Sequence, residues 1–269
     1  MENKKELTLS EIQQESFKAL LFFREICEKN NFKYWLCYGT LIGAIRHDGF
    51  IPWDDDVDVQ MPREDYEKFI DYCINNKNSL LPFELHHFRT NKKYIYPIAR
   101  FSNSNFYIDY ANTKDYGLGT FIDIYPVDNV NINCKKLHSA RRKYMSLITF
   151  MGQKKYSNKS KGLKGFLKKC EYVYSKLLCP SKVLAKYDSL FIKSKFGTGY
   201  CGCYNWETKI YNVKNGTFDN LIKHKFNGDE FYIPAEYDFI LKTIYGDYMK
   251  LPPEADRVAH HNYSVYRKD

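Results

Sequence analysis

The chain has 269 residues, of which 44% are hydrophobic, with 24 Tyr and 19 Phe, and it carries 41 Lys and Arg against 32 Asp and Glu for a net charge of +9. That content of large apolar side chains excludes a disordered chain and supplies one substantial core. No secretion signal or membrane anchor is visible, because Met1 to Ser10 is charged and polar and the longest early apolar run, Ala19 to Phe23, is far short of a span.

Thr8 with Glu11, or Ser10 with Gln13, forms a capping pair for a first helix that ends near Asn30 and Asn31. Lys33 to Tyr38 is rich in strand formers and runs into Gly39-Thr40, after which LIGAIRH reads as a short helix. Strand, glycine turn and helix start in succession leave backbone N–H groups free to attract phosphate. Beyond the turn-like Asp48-Gly49 and Ile51-Pro52, the alternation of Asp56, Val57, Asp58 and Val59 predicts a strand, and Arg63 to Ile74 a helix. Phe83 to Phe88, Tyr94 to Phe101, Phe106 to Tyr110 and Thr120 to Tyr125 are further strand candidates.

From Lys135 to about Lys195 the pattern becomes helical and basic, interrupted by Gly162, Gly165 and Pro180, and Gly197 to Trp206 reads as a loop. Pro234 opens a last helix that Gly246 closes. The expected fold class is therefore α+β, a mixed sheet flanked by helices with an added basic helical region. Residues 1–133 are expected to form the catalytic core, 134–210 the basic region, and 211–269 a segment packing on the core.

Residues 134–182 hold 14 Lys and Arg against Glu171 alone, a net +13, so the remainder is −4. Interleaved Lys, Leu, Phe and Tyr suit a helix lying on an anionic membrane, and equally a solvated basic face. No motif for nucleic acid accompanies the charge. The eight cysteines include no CxxC pair, which favours reduced cytoplasmic thiols, with Cys201 and Cys203 in a loop rather than a metal site.

In an extended strand Asp56 and Asp58 share one face. Two carboxylates so close repel unless a cation neutralises them. Mg²⁺, or Mn²⁺ in its place, takes hard oxygen ligands and completes its shell with water and substrate phosphates. Asp123 lies between isoleucines in FIDIY, where a charge is costly unless paired or metal-bound, and it is the third candidate ligand and proton acceptor. Asp128 is the fallback for that role, in a strand-ending turn. Arg46 fits a phosphate contact or a surface cation equally well, while His47 and the pair His260-His261 read as non-chemical.

The segment from Tyr38 to Val59, YGTLIGAIRHDGFIPWDDDVDV, resembles the signature of the LicD family, supported by FIDIYPVD at 121–128 and YGDYMKLPP at 245–253. The resemblance implies a nucleotidyltransferase-like fold of the polymerase-β type, in a group that includes bacterial phosphocholine transferases and fukutin-related sugar-phosphate transferases. It also implies a CDP-linked donor. Carried over by position, Asp56, Asp58 and Asp123 match the metal ligands, Gly39, Thr40 and Arg46 the donor-phosphate site, and Asp54 and Asp55 its supporting loop.

On that resemblance a sugar hydroxyl of a glycan, lipid-linked in one version, attacks the phosphorus distal to cytidine and CMP leaves. A choline head group would favour an aromatic cage, for which Trp53, Tyr107, Tyr110 and Tyr116 are near in sequence, although with 17% aromatics chance or plain core packing explains any one of them better. The expected setting is the cytoplasm, at the inner face of the membrane. The rivals are a nucleotidyltransferase releasing pyrophosphate and a non-catalytic glycan- or membrane-binding protein.

Overall fold

The computed structural model describes residues 5–130, 135–192, 199–206, 211–259 and 263–268. Helix α1 (Leu9–Asn30) opens on a reciprocal capping box, in which the Thr8 hydroxyl accepts from the Glu11 N–H and the Glu11 carboxylate accepts from the Thr8 N–H at 2.8 Å. Asn31 ends it in the left-handed region at φ 56°.

Strand β1 (Trp35–Leu36), helix α2 (Tyr38–His47), strand β2 (Asp58–Pro62) and helix α3 (Arg63–Asn75) follow. The expected glycine turn lies one residue early, because Tyr38 takes the positive φ of 48° and Gly39 and Thr40 already belong to the helix. Sheet pairing starts at Asp58, so Asp56 precedes the strand rather than lying within it. Then come β3 (Phe83–His86), β4 (Ala99–Asn103), β5 (Phe106–Tyr110) and β6 (Phe121–Val127). The strand expected at Tyr94 to Phe101 pairs only from Ala99, since Pro97 has no N–H to give a ladder.

The central sheet runs β1-β2-β6-β4-β3, with β2 and β6 parallel and the other pairs antiparallel. Its register sets Asp58 beside Asp123, Asp123 beside Arg100 and Arg100 beside His86, a polar row across four strands on one face. The intervening Val59, Ile122, Ile124 and Phe101 are fully buried in the cluster formed with Leu20, Phe23 and Phe69 of α1 and α3. One face thus builds one core cluster, and the other carries the polar row, where Phe121 and Tyr125 beside Asp123 join a second buried cluster with Tyr38, Tyr94 and Tyr96.

Helices α4 (Lys135–Gly152), α5 (Gly162–Lys176) and α6 (Pro180–Ile192) fill the basic stretch, with α5 and α6 packed on α4. Short strands β7 (Tyr200–Cys201) and β8 (Val213–Lys214) pair with each other. Strands β9 (Leu221–Phe226) and β10 (Asp229–Pro234) form a hairpin absent from the sequence reading, turned by Asn227 and Gly228 at φ 55° and 87°. Asn-Gly is the pair such a turn demands. Pro234 therefore ends a strand, and helix α7 (Tyr237–Tyr245) begins three residues later, with Gly246 closing it as expected. Strand β11 (Tyr263–Arg267) pairs with β5.

Seven α-helices stand among the described residues, and none is long and apolar enough to cross a membrane. The described cysteines are free thiols. Cys134 and the pair His260-His261 lie outside the described residues.

Burial, and secondarily the charge of Arg100, pushes His86 down to about 4, and burial with Arg89 pushes His87 well below the ordinary range. Both are neutral in the fold at pH 7. The unfolded chain takes up these protons near pH 6.5 while the native state refuses His86's until about 4, so stability present at neutral pH is lost on acidification through that window. For His86 the loss is about 3 kcal/mol. The urea midpoint should fall between pH 7 and 4.5, and His86→Gln should flatten that fall.

Candidate active site

The polar face of the sheet opens into a cleft of about 770 Å³. Six pieces of the described chain wall it: helix α2, the approach to β2, the middle of β4, the middle of β6, Trp206, and the segment Tyr245 to Pro253. It brings Gly39, Arg46, Asp54, Asp56, Asp58 and Asp123 together.

Helix α2 brings its first turn to this cleft because Tyr38 turns the chain sharply. Gly39 then passes so close to the acidic loop that a Cβ there would sit 2.7 Å from Asp54 Oδ2. Any larger residue displaces that carboxylate. Thr40 is buried, and its Oγ1 accepts from the Asp58 N–H at 2.8 Å. It is not a cleft residue, and it locks the first residue of β2 to α2.

Carboxylate oxygens of Asp54, Asp55 and Asp56 lie within 4.8 Å of one another. Asp54 and Asp56 line the cleft, whereas Asp55 is only 5% exposed and stands behind them. Asp58 and Asp123 extend the acidic surface as register partners on adjacent strands. Clustered hard oxygens beside an open cleft fit a divalent cation that keeps positions for phosphate.

Asp123 is gripped by Arg100, whose Nε and Nη2 donate to its two oxygens at 2.6 and 3.2 Å. The guanidinium lies 3.9 Å from the centre of the Tyr96 ring and 4.1 Å from that of Phe121. Burial alone would lower the Arg100 pKa, but the Asp123 charge, together with Tyr110, Tyr96 and Tyr94, outweighs it and holds the group well above its ordinary value. Sequence reasoning missed Arg100, although a cation within an otherwise apolar strand was a signal of the same kind as Asp123.

Arg46 lines the cleft and donates from Nη1 to the Tyr248 carbonyl at 2.6 Å, which ties α2 to the opposite wall. Partial burial lowers its pKa, and the same burial with Arg46 alongside lowers that of His47. Asp128 does not line the cleft. Its two oxygens accept from Arg63 at 2.7 and 2.8 Å, and Arg63 also meets Asp188 at 3.0 Å, so the fallback residue belongs to a buried structural network.

Of the four aromatics near in sequence, only Trp53 reaches the cleft. Tyr107 stacks on Tyr266, Tyr110 packs on Tyr263, and Tyr116 sits among Tyr94 and Tyr96. Among the described residues the rings that do line it are Tyr38, Trp53, Tyr125, Trp206, Tyr245 and Tyr248. Tyr38, Trp53 and Tyr125 stand within two residues of Gly39, Asp54 and Asp123, whereas Trp206, Tyr245 and Tyr248 come from segments remote in sequence, which proximity along the chain could not find.

The profile described as LicD/FKTN/FKRP, nucleotidyltransferase domain, matches residues 31–159, from just before β1 to just beyond α4. The lipopolysaccharide cholinephosphotransferase LicD of Haemophilus influenzae is 33% identical over 276 aligned positions, covering 97% of this chain and 99% of that protein. Uncharacterized proteins of Rickettsia typhi and Rickettsia prowazekii match shorter stretches. The first is 34% identical over 134 residues, 45% of this chain and 40% of its own length, and the second 43% over 70 residues, 22% and 26%. Matched from end to end by one relative, and by the family profile across the strands that carry the acidic row, the chain belongs to the LicD family.

Proposed function

We propose that the chain transfers phosphocholine, or a close phospho-substituent, from a CDP-linked donor to a sugar hydroxyl of a cell-surface glycan precursor, releasing CMP. The observation that carries this reading is the joining of an acidic cluster, two arginines and six aromatic rings among the described residues of one cleft. A relative of matching length is named for lipopolysaccharide cholinephosphotransfer, which suggests the substituent and the class of acceptor. Adjacent acidic strands beneath a helix start also suit a nucleotidyltransferase-like fold of the polymerase-β type.

Asp56 and Asp58 would hold Mg²⁺ or Mn²⁺, with Asp123 on the next strand and Asp54 and Asp55 beside them. The ion supplies charge neutralisation on phosphate oxygens. Gly39, which lines the cleft at the start of α2, would face the donor diphosphate, and Arg46 offers it a cation. The acceptor oxygen forms a bond to the phosphorus bearing the substituent, the bond from that phosphorus to CMP breaks, and Asp123, oriented by Arg100, receives the hydroxyl proton. Rings such as Trp53 and Trp206 offer faces to a quaternary ammonium. CDP-linked donors place the work in the cytoplasm.

The test is incubation with a panel of CDP- and CMP-linked donors, Mg²⁺ and a glycan extract. CMP release that depends on both CDP-choline and extract is expected. Pyrophosphate formed from a nucleoside triphosphate would instead identify a nucleotidyltransferase.

A further inference from the structure

Helix α5 is built inside out. Leu163, Phe166, Leu167, Val173, Tyr174 and the capping Leu177 are between 55% and 80% exposed. At 3.6 residues per turn these positions fall in one stripe along the helix. The opposite side, against α4, is mixed: Tyr172 packs its ring on Phe150 and Tyr156, the rest is polar, and the one buried residue of α5 is Ser175. There Lys176 Nζ donates to the carbonyls of Phe150, Met151 and Gln153 at 2.7, 3.3 and 2.6 Å, and Lys168 Nζ donates to Ser146 Oγ at 2.7 Å. An amphipathic helix normally turns its apolar stripe to the core, and this one presents it to solvent.

Charge indicates what covers the stripe. Residues 155–186 contain nine lysines and a single acid, Glu171. Lys159, Lys161, Lys164 and Lys169, beside the stripe, are exposed. A second copy meeting this face would bring two strongly positive surfaces together, which disfavours self-association. An apolar stripe flanked by lysines with almost no acids complements a surface that is anionic outside and hydrocarbon within.

We propose that α5 is a membrane-docking element that lies in the interface of an anionic bilayer, its stripe sunk among the acyl chains and its flanking lysines on lipid phosphates. A chain so docked meets lipid-borne molecules in two dimensions.

Co-sedimentation of the full chain with vesicles tests this without donor or acceptor, so its outcome is independent of the chemistry proposed above. With vesicles of phosphatidylcholine and phosphatidylglycerol, binding should exceed that to phosphatidylcholine alone by about tenfold and weaken with added salt. Phe166→Ser with Leu167→Ser should lower binding by about tenfold or more while circular dichroism stays unchanged. Lys164→Glu with Lys169→Glu should abolish the preference for anionic lipid. The proposal is overturned if the wild-type chain stays in the supernatant, or if the serine variant binds as well as wild type. A dimer in light scattering that the serine variant dissociates, with no vesicle binding by either, would overturn it too and assign the stripe to self-association.

Discussion

Asp56→Asn and Asp58→Asn are each expected to lower CMP release by a few orders of magnitude, about 10²-fold or more, while leaving the fold intact. Asparagine keeps the shape of the side chain and removes its charge. Asp58 is held through its backbone, its N–H donating to Thr40 and its carbonyl accepting from the Cys37 N–H, and both contacts survive the substitution. What is lost is anionic ligand strength toward a divalent ion and, with it, charge compensation at the transferring phosphorus. Asp71→Asn, on the exposed side of α3, is the control and should behave as wild type. Steady-state CMP release with Mg²⁺ titrated for each variant checks the expectation. Near-normal turnover in both cleft variants would remove Asp56 and Asp58 from the chemistry.

The largest expected effect on stability is that of Arg63→Met. Arg63, at the start of α3, holds Asp128 by a two-pronged pair and reaches Asp188 of α6, and Asp128 is only 1% exposed. Its removal strands two buried carboxylates, which costs about 3–5 kcal/mol. In a chain of this size that lowers Tm by roughly 10 °C. Burial already lifts Asp188 to about 6 against the lowering pull of Arg63, so without the arginine it rises further. A raised carboxyl pKa penalises the ionised native form at neutral pH and is relieved on protonation. The deficit of Arg63→Met should therefore be greatest near pH 7.5 and shrink below pH 6, as read by denaturant melts at several pH values. Adding Asp128→Leu should restore part of the loss, because an apolar replacement of a buried pair is tolerated better than half of one.

Features written in adjacent residues were legible in the sequence. The Thr8 and Glu11 box is local, and so is the run of acids from Asp54 to Asp58 that marks the cleft. Asp123 stood out because a charge among isoleucines needs a reason. Its partner Arg100 was not assigned, because only the register of β4 against β6 shows which cation meets which acid. Tyr107, Tyr110 and Tyr116 follow the core-packing alternative to the aromatic cage. In a chain so rich in tyrosine, closeness in sequence to Asp123 says little, and all three pack elsewhere. The hairpin at Asn227-Gly228 was readable from its turn pair and was overlooked in favour of the helix that follows.

The row of Asp58, Asp123, Arg100 and His86 has a consequence for how such a chain tolerates change. Side chains along a strand alternate, so inserting or deleting one residue just before Asp123 would send that carboxylate among Phe23 and Phe69 and turn Ile122 or Ile124 toward the cleft. Core and chemistry would fail at one stroke. Length changes in this part of β6 should be acceptable only in even steps, a parity rule that ties survival of the fold to retention of the acid.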